Sequence, residues 1–583
     1  MRKMELIAPC HFGLEAVLRR EITDLGYEIS EVEDGRITFL GDEEAVCRAN
    51  IFLRTAERVL IKVGSFHAET FEELFQGTKA LEWESYIPAD GKFWVAKAAS
   101  VKSKLFSPSD IQSIMKKAMV ERLKGVYKVS WFPETGAPFP VRVFLKKDEV
   151  TVGLDTTGES LHKRGYRKLT AKAPIAENLA AALIMLTPWK ADRILVDPFC
   201  GSGTTLVEAR LLGIPALGIE ISPLSAMISR VKSGFDVDTS NIEKHITSLG
   251  KFYQEKYEGF LNGKDIHKYT YEEIIARDGN SITSFSNYDK WFTKEALLGV
   301  SIVVEYILKV KNNKYISELI ATALSAKMRS IGNVDVDVVR AEYRKTPREN
   351  VDVLKLVISH LRKMIRSIKE MNVSHNSTIK NADTINVIES SCLSADIADN
   401  SISAVITSPP YGVESLSYLR THLLSFRALE PLLGVDPYNF SQDVIGSEYL
   451  LEANFDINTL KVIKKSPECA RFFTKLLSKE EIKGTRNRAL MMLKFFEDMD
   501  NLVIKFSHWL KVGGKVAFVI GNKKISDSII PTDKIITEIF EANGFTYISE
   551  IAHKLKTNNS NSKVPWQDRI IENEFVIFYE KRM

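Results

Sequence analysis

The spacing of apolar and polar residues predicts a mixed pattern of helices and strands over the first 155 residues. A helix with apolar positions three and four residues apart is predicted over 13–22. A second helix is predicted from Ile111 to about Leu123, with Ser109 and Asp110 as its N-terminal cap. The strands predicted in this segment are 4–8, 36–40, 95–99 and 141–145.

From residue 177 onward the pattern alternates helices with short apolar strands. The predicted strands are 194–196, 216–219, 384–388, 404–406, 515–520 and 574–579, and the predicted helices are 177–186, 205–212, 489–510 and 534–543. Strand, helix and strand at this spacing form a βαβ unit, so we expect a parallel sheet and an α/β fold. Helical periodicity fills about 235–380, with helices at 295–310, 316–328 and 351–371, and a second insertion spans 411–488.

A chain of 583 residues is too long for one hydrophobic core, so several domains are expected. The pattern divides it into a small unit at 1–60, a second at 61–155, a basic linker at 156–172 and a large α/β domain at 173–583. The linker is marked by glycines and contains Leu161-His162-Lys163-Arg164-Gly165-Tyr166-Arg167-Lys168.

Composition is typical of a globular chain, with 45% hydrophobic and 26% charged residues. The first residues do not resemble a signal peptide, and the most apolar stretch, 179–186, is too short to span a bilayer, so an intracellular, cytoplasmic protein is predicted. The five cysteines and ten histidines are scattered without a Cys-x-x-Cys pair. We therefore expect neither disulfides nor a metal.

The net charge of +4 conceals a basic block. Residues 92–172 contain 17 Lys and Arg against 7 Asp and Glu, which is +10, and the remainder of the chain is 4 − 10 = −6. Such a block suggests a domain that meets a polyanion. A solvated basic face without a partner would produce the same count, and both interpretations stay open.

The string Asp197-Pro198-Phe199-Cys200-Gly201-Ser202-Gly203-Thr204, here called the cofactor loop, follows a buried strand. The C-terminal edge of such a strand is where open α/β sheets bind ligands, and the two glycines let a ligand approach the main chain. The third glycine of the dinucleotide fingerprint is missing, which disfavours NAD. Glu220 ends the next strand, where it can accept both ribose hydroxyls of S-adenosylmethionine (SAM), while Asp197 can hold the cationic amino-acid end. The predicted cofactor-binding residues are Asp197, Pro198, Phe199, Gly201, Gly203, Thr204, Glu220 and Ile221.

The string Ser408-Pro409-Pro410-Tyr411, here called the amine clamp, follows another apolar strand. The prolines fix the backbone, and a carbonyl and the Ser408 hydroxyl can each accept a hydrogen bond from an exocyclic NH2 group. Tyr411 offers a flat face on which a flipped base can stack. All four residues are predicted to be catalytic. Cys200 is expected to pack rather than to act as a nucleophile, and His422 to be a polar residue on a helix.

At these two motifs the chain resembles class I SAM-dependent amino-methyltransferases. The front third resembles RNA methyltransferases that carry a ferredoxin-like unit and a THUMP domain. The matching segments are 8–25, 36–40 and 155–182, the last of which looks like the join between THUMP and catalytic domains in guanine-N2 methyltransferases of tRNA and rRNA. The resemblance implies a Rossmann-like methyltransferase domain with helical insertions, preceded by an α+β ferredoxin-like/THUMP module that grips structured RNA.

The back half departs from that group. Its members usually carry Asn or Asp at the position of Ser408, and Ser-Pro-Pro-Tyr looks more like cytosine-N4 methylases of DNA. Segments 291–333 and 406–446 also resemble restriction-type DNA methylases, and Ser391 stands where many relatives place an Asp that touches adenine. The resemblance therefore implies SAM as the methyl donor and leaves the methylated atom open.

Three hypotheses follow from the sequence. The first is a SAM-dependent methyltransferase acting on guanine N2 or cytosine N4 of tRNA or rRNA, with phosphate contacts from Lys163, Arg164, Arg167 and Lys168. A linker that is merely solvated is the alternative for those four cations. The second hypothesis is a DNA methyltransferase for cytosine N4 or adenine N6. The third is an RNA-binding assembly factor with an inactive pocket.

Overall fold

The computed structural model describes residues 3–163, 176–186, 194–234, 237–277, 287–335, 342–344, 346, 348–375, 385–412, 417–436, 443–446, 459–478, 485–525, 528–554 and 573–582. The chain forms two compact units. The N-terminal unit comprises Met1–Arg164 and Ala176–Leu186, and the C-terminal unit comprises Gly165–Ile175 and Thr187–Met583. The four predicted domain boundaries remain predictions.

The N-terminal unit is a single sheet covered by helices. Its strands are β1 (Met4–Pro9), β2 (Glu28–Glu33), β3 (Arg36–Gly41), β4 (Leu60–His67), β5 (Lys92–Val101), β6 (Pro138–Lys146) and β7 (Glu149–Asp155). Its helices are α1 (Glu15–Asp24), α2 (Glu43–Phe52), α3 (Phe71–Ala80), α4 (Pro108–Tyr127) and α5 (Glu177–Leu186). The strand order is β2-β3-β1-β4-β7-β6-β5, and only β5 and β6 are parallel within this described sheet.

The first 60 residues and the following 95 share this sheet, because β1 pairs with β3 on one side and with β4 on the other. The predicted cap of α4 is wrong. The helix begins at Pro108 after Ser107, since proline is favoured in the first turn, where its missing N–H costs no hydrogen bond.

The C-terminal unit is built on a second sheet. Its strands are β8 (Leu195–Asp197), β9 (Ala216–Glu220), β10 (Ile385–Glu389), β11 (Ile402–Thr407), β12 (Leu510–Gly521), β13 (Lys524–Ile525), β14 (Ser528–Ile529), β15 (Phe545–Lys554) and β16 (Asn573–Lys581). The main sheet has the order β10-β9-β8-β11-β12-β16-β15. The first five of these strands are parallel, and β16 is antiparallel to both of its neighbours. This is the predicted α/β architecture with a mainly parallel sheet.

The helices of the C-terminal unit lie before, between and after these strands. Their bounds are α6 (Thr204–Leu211), α7 (Pro223–Ser233), α8 (Thr239–Leu261), α9 (Tyr271–Ala276), α10 (Tyr288–Trp291), α11 (Lys294–Lys309), α12 (Lys314–Ile331), α13 (Val353–His375), α14 (Ser417–Leu433), α15 (Lys461–Lys465), α16 (Pro467–Leu477), α17 (Thr485–Trp509) and α18 (Thr532–Ala542). Helices α8 to α14 share one hydrophobic core with α7, while α17 and α18 pack on the sheet in another. In the part of the chain that the structure describes, no helix is both long and apolar enough to cross a membrane.

The parallel strands bring four chain segments to one edge of the sheet. Because β8, β9, β10 and β11 run in the same direction, their carboxyl ends lie side by side. Asp197, Glu220, Glu389 and Thr407 are the last residues of these strands. The loops that follow them include the cofactor loop and the amine clamp.

Candidate functional site

Asp197 is the buried centre of this edge, with 4% of its surface exposed. One carboxylate oxygen accepts hydrogen bonds from the Phe199 N–H at 3.1 Å and from the Thr407 hydroxyl at 2.9 Å, and the Thr205 hydroxyl also bonds to the carboxylate. Burial raises the pKa of Asp197 to about 6 in spite of these bonds. The Thr407 bond joins residues 210 apart in sequence and places the two motifs next to each other.

The cofactor loop turns through two glycines with left-handed backbone angles. Gly201 has a φ of 53° and Gly203 a φ of 79°. A Cβ on Gly203 would lie 2.4 Å from the Ser229 Oγ, so the loop packs tightly on α7. The buried Cys200 lies beside the same serine, with Sγ and Oγ 3.7 Å apart, and burial raises the pKa of its thiol. This environment favours packing over nucleophilic attack by Cys200.

Glu220, at the end of β9, closes the other side of the loop. Its carboxylate accepts hydrogen bonds from the Gly201 N–H at 3.0 Å and the Ser222 N–H at 2.8 Å. Burial raises the pKa of Glu220 to about 7, and Asp197 adds to that rise. The Ile221 backbone also bonds to the Glu220 carboxylate. A carboxylate has about four lone-pair sites, so capacity remains to accept from a ligand hydroxyl.

Thr204, the first residue of α6, carries a buried hydroxyl that lacks a hydrogen-bond partner among the described residues. Only 4% of this residue is exposed. Buried hydroxyls in folded proteins nearly always have a partner, so this oxygen marks a place where a ligand group can complete the site. A Cβ on Gly201 would meet nothing closer than the Phe199 carbonyl oxygen at 4.0 Å, so the loop is open on that side.

The loop after β10 borders Glu220. The Ser390 N–H donates to the Glu220 carbonyl oxygen at 3.0 Å, and the Ser391 Oγ accepts from the Leu393 N–H at 3.3 Å. Asp396, further along, is exposed. Ser391 therefore lies in the loop that follows β10, beside Glu220.

The amine clamp begins directly after Thr407. Pro409 is buried, and Ser408, Pro410 and Tyr411 are half-buried. The Ser408 Oγ donates to the Tyr411 hydroxyl oxygen at 3.3 Å, and the Tyr411 hydroxyl donates to the Glu574 Oε1 at 2.6 Å.

Sequence reasoning missed Glu574 as a member of the site, although it predicted a strand over 574–579. β16 is antiparallel to β12 and pairs Glu574 with Gly521, the last residue of β12. An antiparallel strand starts at the edge where its parallel neighbours end, so Glu574 reaches the amine clamp. The signal that could have found it is a carboxylate at the start of a closing strand.

The structure places the predicted residues of the two motifs at one edge, and it places other predicted residues elsewhere. Lys163 is exposed and belongs to the N-terminal unit, and Arg164, Arg167 and Lys168 lie outside the described residues. His422 is on α14 as predicted, and burial together with Arg329 lowers its pKa to about 4.

Folding neutralises part of the basic block at 92–172. Several of its cations pair with carboxylates, three of which, Asp34, Glu69 and Glu84, precede the block in the chain. The ion pairs are Lys104–Glu69, Lys116–Glu134, Arg122–Glu84, Arg142–Asp155 and Lys146–Asp34. The charge offered to a polyanion is therefore smaller than the count of +10 suggests. Within the described ranges, no group of three or more His, Cys, Asp or Glu side chains is placed to hold a metal ion.

Known proteins are similar to separate parts of the chain. A candidate RNA methyltransferase of Bacillus subtilis (strain 168), YpsC, is 52% identical over 215 residues, which are 36% of this chain and 55% of that protein. The chain thus spans about half the length of this curated relative.

Two solved structures are similar at the sequence level. A candidate methylase from Clostridium difficile 630 is 44% identical and has a TM-score of 0.39, covering 40% of this chain and 72% of the other. A protein described as a predicted N6-adenine-specific DNA methylase, from Listeria monocytogenes strain 4b F2365, is 40% identical with a TM-score of 0.39, covering 40% and 73%.

Three family models match successive parts of the chain. Residues 5–60 match the RlmL ferredoxin-like domain, residues 68–155 the THUMP domain and residues 164–242 the RMKL-like methyltransferase domain. These are the classes of domain that the two motifs and the front third resemble. The chain therefore combines a ferredoxin-like domain, a THUMP domain and a methyltransferase domain.

Proposed function

We propose that this protein transfers a methyl group from SAM to an exocyclic amine of an RNA base, guanine N2 or cytosine N4 of tRNA or rRNA. The observation that carries the proposal is the hydrogen bond between Thr407 and Asp197. It holds the amine clamp beside the cofactor loop, so a methyl donor and an acceptor amine would meet at one edge of the sheet. Methyl transfer needs this alignment above all.

The groups around the cofactor loop fit SAM. The Asp197 carboxylate would pair with the cationic amino group, and the Glu220 carboxylate would accept the ribose hydroxyls. The unpartnered Thr204 hydroxyl and the open side of Gly201 would meet the remaining polar atoms of the ligand. Ile221 is half-buried next to Glu220 and would pack on the adenine ring. When bound, SAM supplies an electrophilic methyl group that needs no further activation.

The amine clamp would orient the acceptor. The Ser408 hydroxyl and a clamp carbonyl accept hydrogen bonds from the NH2 group, which turns the nitrogen lone pair toward the methyl carbon. The two prolines keep these acceptors in place, since their φ angles are locked. The Tyr411 ring provides the stacking surface for a base that has left its helix or loop.

RNA is the favoured substrate because of the front third of the chain. The THUMP match at 68–155 and the resemblance of the candidate RNA methyltransferase from Bacillus subtilis both support it. Lys163, Arg164, Arg167 and Lys168 would contact phosphates at the join to the catalytic domain.

Incubating the full chain with tritiated SAM and either total RNA or genomic DNA tests this function. We expect label in RNA, and nucleoside mass spectrometry should identify N2-methylguanosine or N4-methylcytidine. The Asp197→Asn variant, which removes the charge but keeps the shape of the pocket, should give at least tenfold less label at subsaturating SAM. Label in DNA alone would overturn the RNA proposal in favour of DNA methylation, the function that Ser408 favours. The absence of SAM binding at millimolar concentration would overturn methyl transfer itself.

A further inference from the structure

Three side chains beyond the cofactor loop form a directed chain of hydrogen bonds. The Ser408 Oγ donates to the Tyr411 hydroxyl oxygen at 3.3 Å, and the Tyr411 hydroxyl donates to the Glu574 Oε1 at 2.6 Å. Both hydrogen bonds have the same direction. They lead from the Ser408 hydroxyl, which would accept from the target amine, to the Glu574 carboxylate. Ser408 and Tyr411 are both half-buried.

The position of Glu574 is rigid, because its strand is paired on both sides. Its backbone lies opposite Gly521 of β12 and opposite His553 of β15. The carboxylate is therefore attached to the sheet itself rather than to a loop. A side chain held on a strand keeps a hydrogen-bond geometry better than one on a flexible segment.

We propose that Ser408, Tyr411 and Glu574 form a proton relay that carries the proton lost by the methylated amine to the Glu574 carboxylate. This inference rests on the proposed function, because it assigns a fate to a proton that only amine methylation releases. Ser408 and Tyr411 are half-buried, so a base stacked on Tyr411 would cover their remaining exposed surface and leave the hydrogen-bonded side chains as the nearest path for its proton. The observed bonds supply that path without a further group.

Each step of the relay conserves atoms and charge. The amine nitrogen forms the bond to the methyl carbon with its lone pair as the carbon–sulfur bond breaks, and the electron pair of that bond stays on sulfur. In the same step, as the nitrogen–carbon bond forms, the nitrogen gives one proton to the Ser408 Oγ, the Ser408 proton moves to the Tyr411 oxygen, and the Tyr411 proton moves to the Glu574 Oε1. One proton has left the substrate, and both hydroxyls are neutral again. Glu574 then releases the proton to solvent.

A purely positioning role for Glu574 makes a different prediction. In that case the carboxylate only holds the Tyr411 ring in its orientation through the hydroxyl. Glu574→Gln separates the two roles, because the amide oxygen still accepts the Tyr411 hydrogen bond but does not take up a proton at neutral pH. Tyr411→Phe keeps the ring face and removes the middle of the relay.

Single-turnover methyl transfer with saturating SAM and RNA tests the relay in the full chain, in H2O and in D2O. We expect Glu574→Gln and Tyr411→Phe each to lower the rate at least tenfold, within the range found for groups that move protons. SAM affinity by calorimetry should stay within twofold of the wild type, which also shows that the variants fold. In both variants a solvent isotope effect larger than that of the wild type should appear, because proton removal then limits the rate. The matched control is Glu550→Gln, an exposed carboxylate of β15 in the same sheet, and it should behave as the wild type.

The outcomes separate the relay from the proposed function. If the wild type methylates RNA and Glu574→Gln keeps its rate, the relay is wrong and methyl transfer stands. A slow Glu574→Gln variant without a larger isotope effect would make Glu574 a positioning residue and would also overturn the relay. If the wild type methylates no RNA, the proposed function fails, and the relay fails with it.

Discussion

Replacing Asp197 by asparagine tests whether the buried charge lowers the free energy of unfolding while it strengthens SAM binding. The side chain of the Asp197→Asn variant keeps one oxygen that can accept from the Phe199 N–H and the Thr407 hydroxyl, so the local structure should persist. The Thr205 hydroxyl can rotate to suit the new NH2 group. The substitution therefore removes the charge and little else.

The pKa of Asp197 determines the size of the effect. It is raised from 3.8 to about 6 in the folded chain, a rise of about 2 units, and each unit corresponds to about 1.4 kcal/mol. Between pH 4 and pH 6 the unfolded chain loses this proton while the folded chain keeps it, so wild-type stability falls as the pH rises. Above pH 6 the loss levels off at about 3 kcal/mol. The asparagine variant has no such loss.

Urea unfolding at pH 4 and pH 8 measures the difference. Because the two units can unfold separately, the transition should be followed by pulsed hydrogen exchange of peptides that contain β8 and β11. We expect the asparagine variant to match the wild type at pH 4 and to exceed it by about 3 kcal/mol at pH 8. At pH 8 the same variant should bind SAM at least tenfold more weakly, because a hydrogen bond to a charged group contributes about 1.5–3 kcal/mol.

Equal stabilities of the two proteins at both pH values would refute the reasoning from burial. Unchanged SAM affinity in the asparagine variant would refute the assignment of Asp197 to the cationic end of the ligand. The two readouts are independent, so one result can contradict the electrostatics of the site while the other upholds its ligand.

Three further predictions concern single residues of the same edge. SAM affinity of the wild type, measured by calorimetry, should rise about tenfold from pH 6 to pH 8 as Glu220 ionises around its pKa of about 7. The Glu220→Gln variant should bind SAM more weakly and without this rise. A flat wild-type profile would contradict the ribose contact. Thr204→Val should lower SAM affinity several-fold without lowering the melting temperature. The matched control is Thr78→Val, which changes another buried unpartnered hydroxyl among the described residues and should leave SAM affinity unchanged. Equal effects of the two variants on SAM affinity would remove Thr204 from the site. Gly203→Ala should destabilise the C-terminal unit by about 1–3 kcal/mol more than Gly26→Ala destabilises the N-terminal unit. Both glycines have positive φ, but only a Cβ at position 203 meets neighbouring atoms. Equal losses of stability in urea unfolding would show that crowding at position 203 is absent.

The hydrophobic pattern does not predict β2, β4, β7 and β15, and there are two physical reasons for this. β2 and β15 are the outer strands of their sheets, where one side faces solvent and polar residues interrupt the apolar alternation. β4 and β7 contain Gly64 and Gly153 at positions where a Cβ would lie 2.6 Å and 3.0 Å from leucine side chains. Glycine meets the needs of packing there and weakens the local signal for a strand.

The sequence by itself determined the local parts of this site. An apolar strand ending in Asp197, two glycines able to adopt positive φ, and two prolines before Tyr411 follow from short stretches of residues, because strand, turn and cap preferences act between near neighbours. The helix over 177–186 and the central parallel strands were predicted for the same reason.

Only the tertiary structure decided which of these parts meet. Thr407 reaches Asp197 because β11 lies next to β8, and Glu574 reaches Tyr411 because β16 runs antiparallel to β12. Strand order and direction depend on how whole faces of the sheet are buried, and residues 210 and 163 positions apart carry no mark of their partner. The raised pKa values of Asp197 and Glu220 also arise only in the folded chain, since burial creates them.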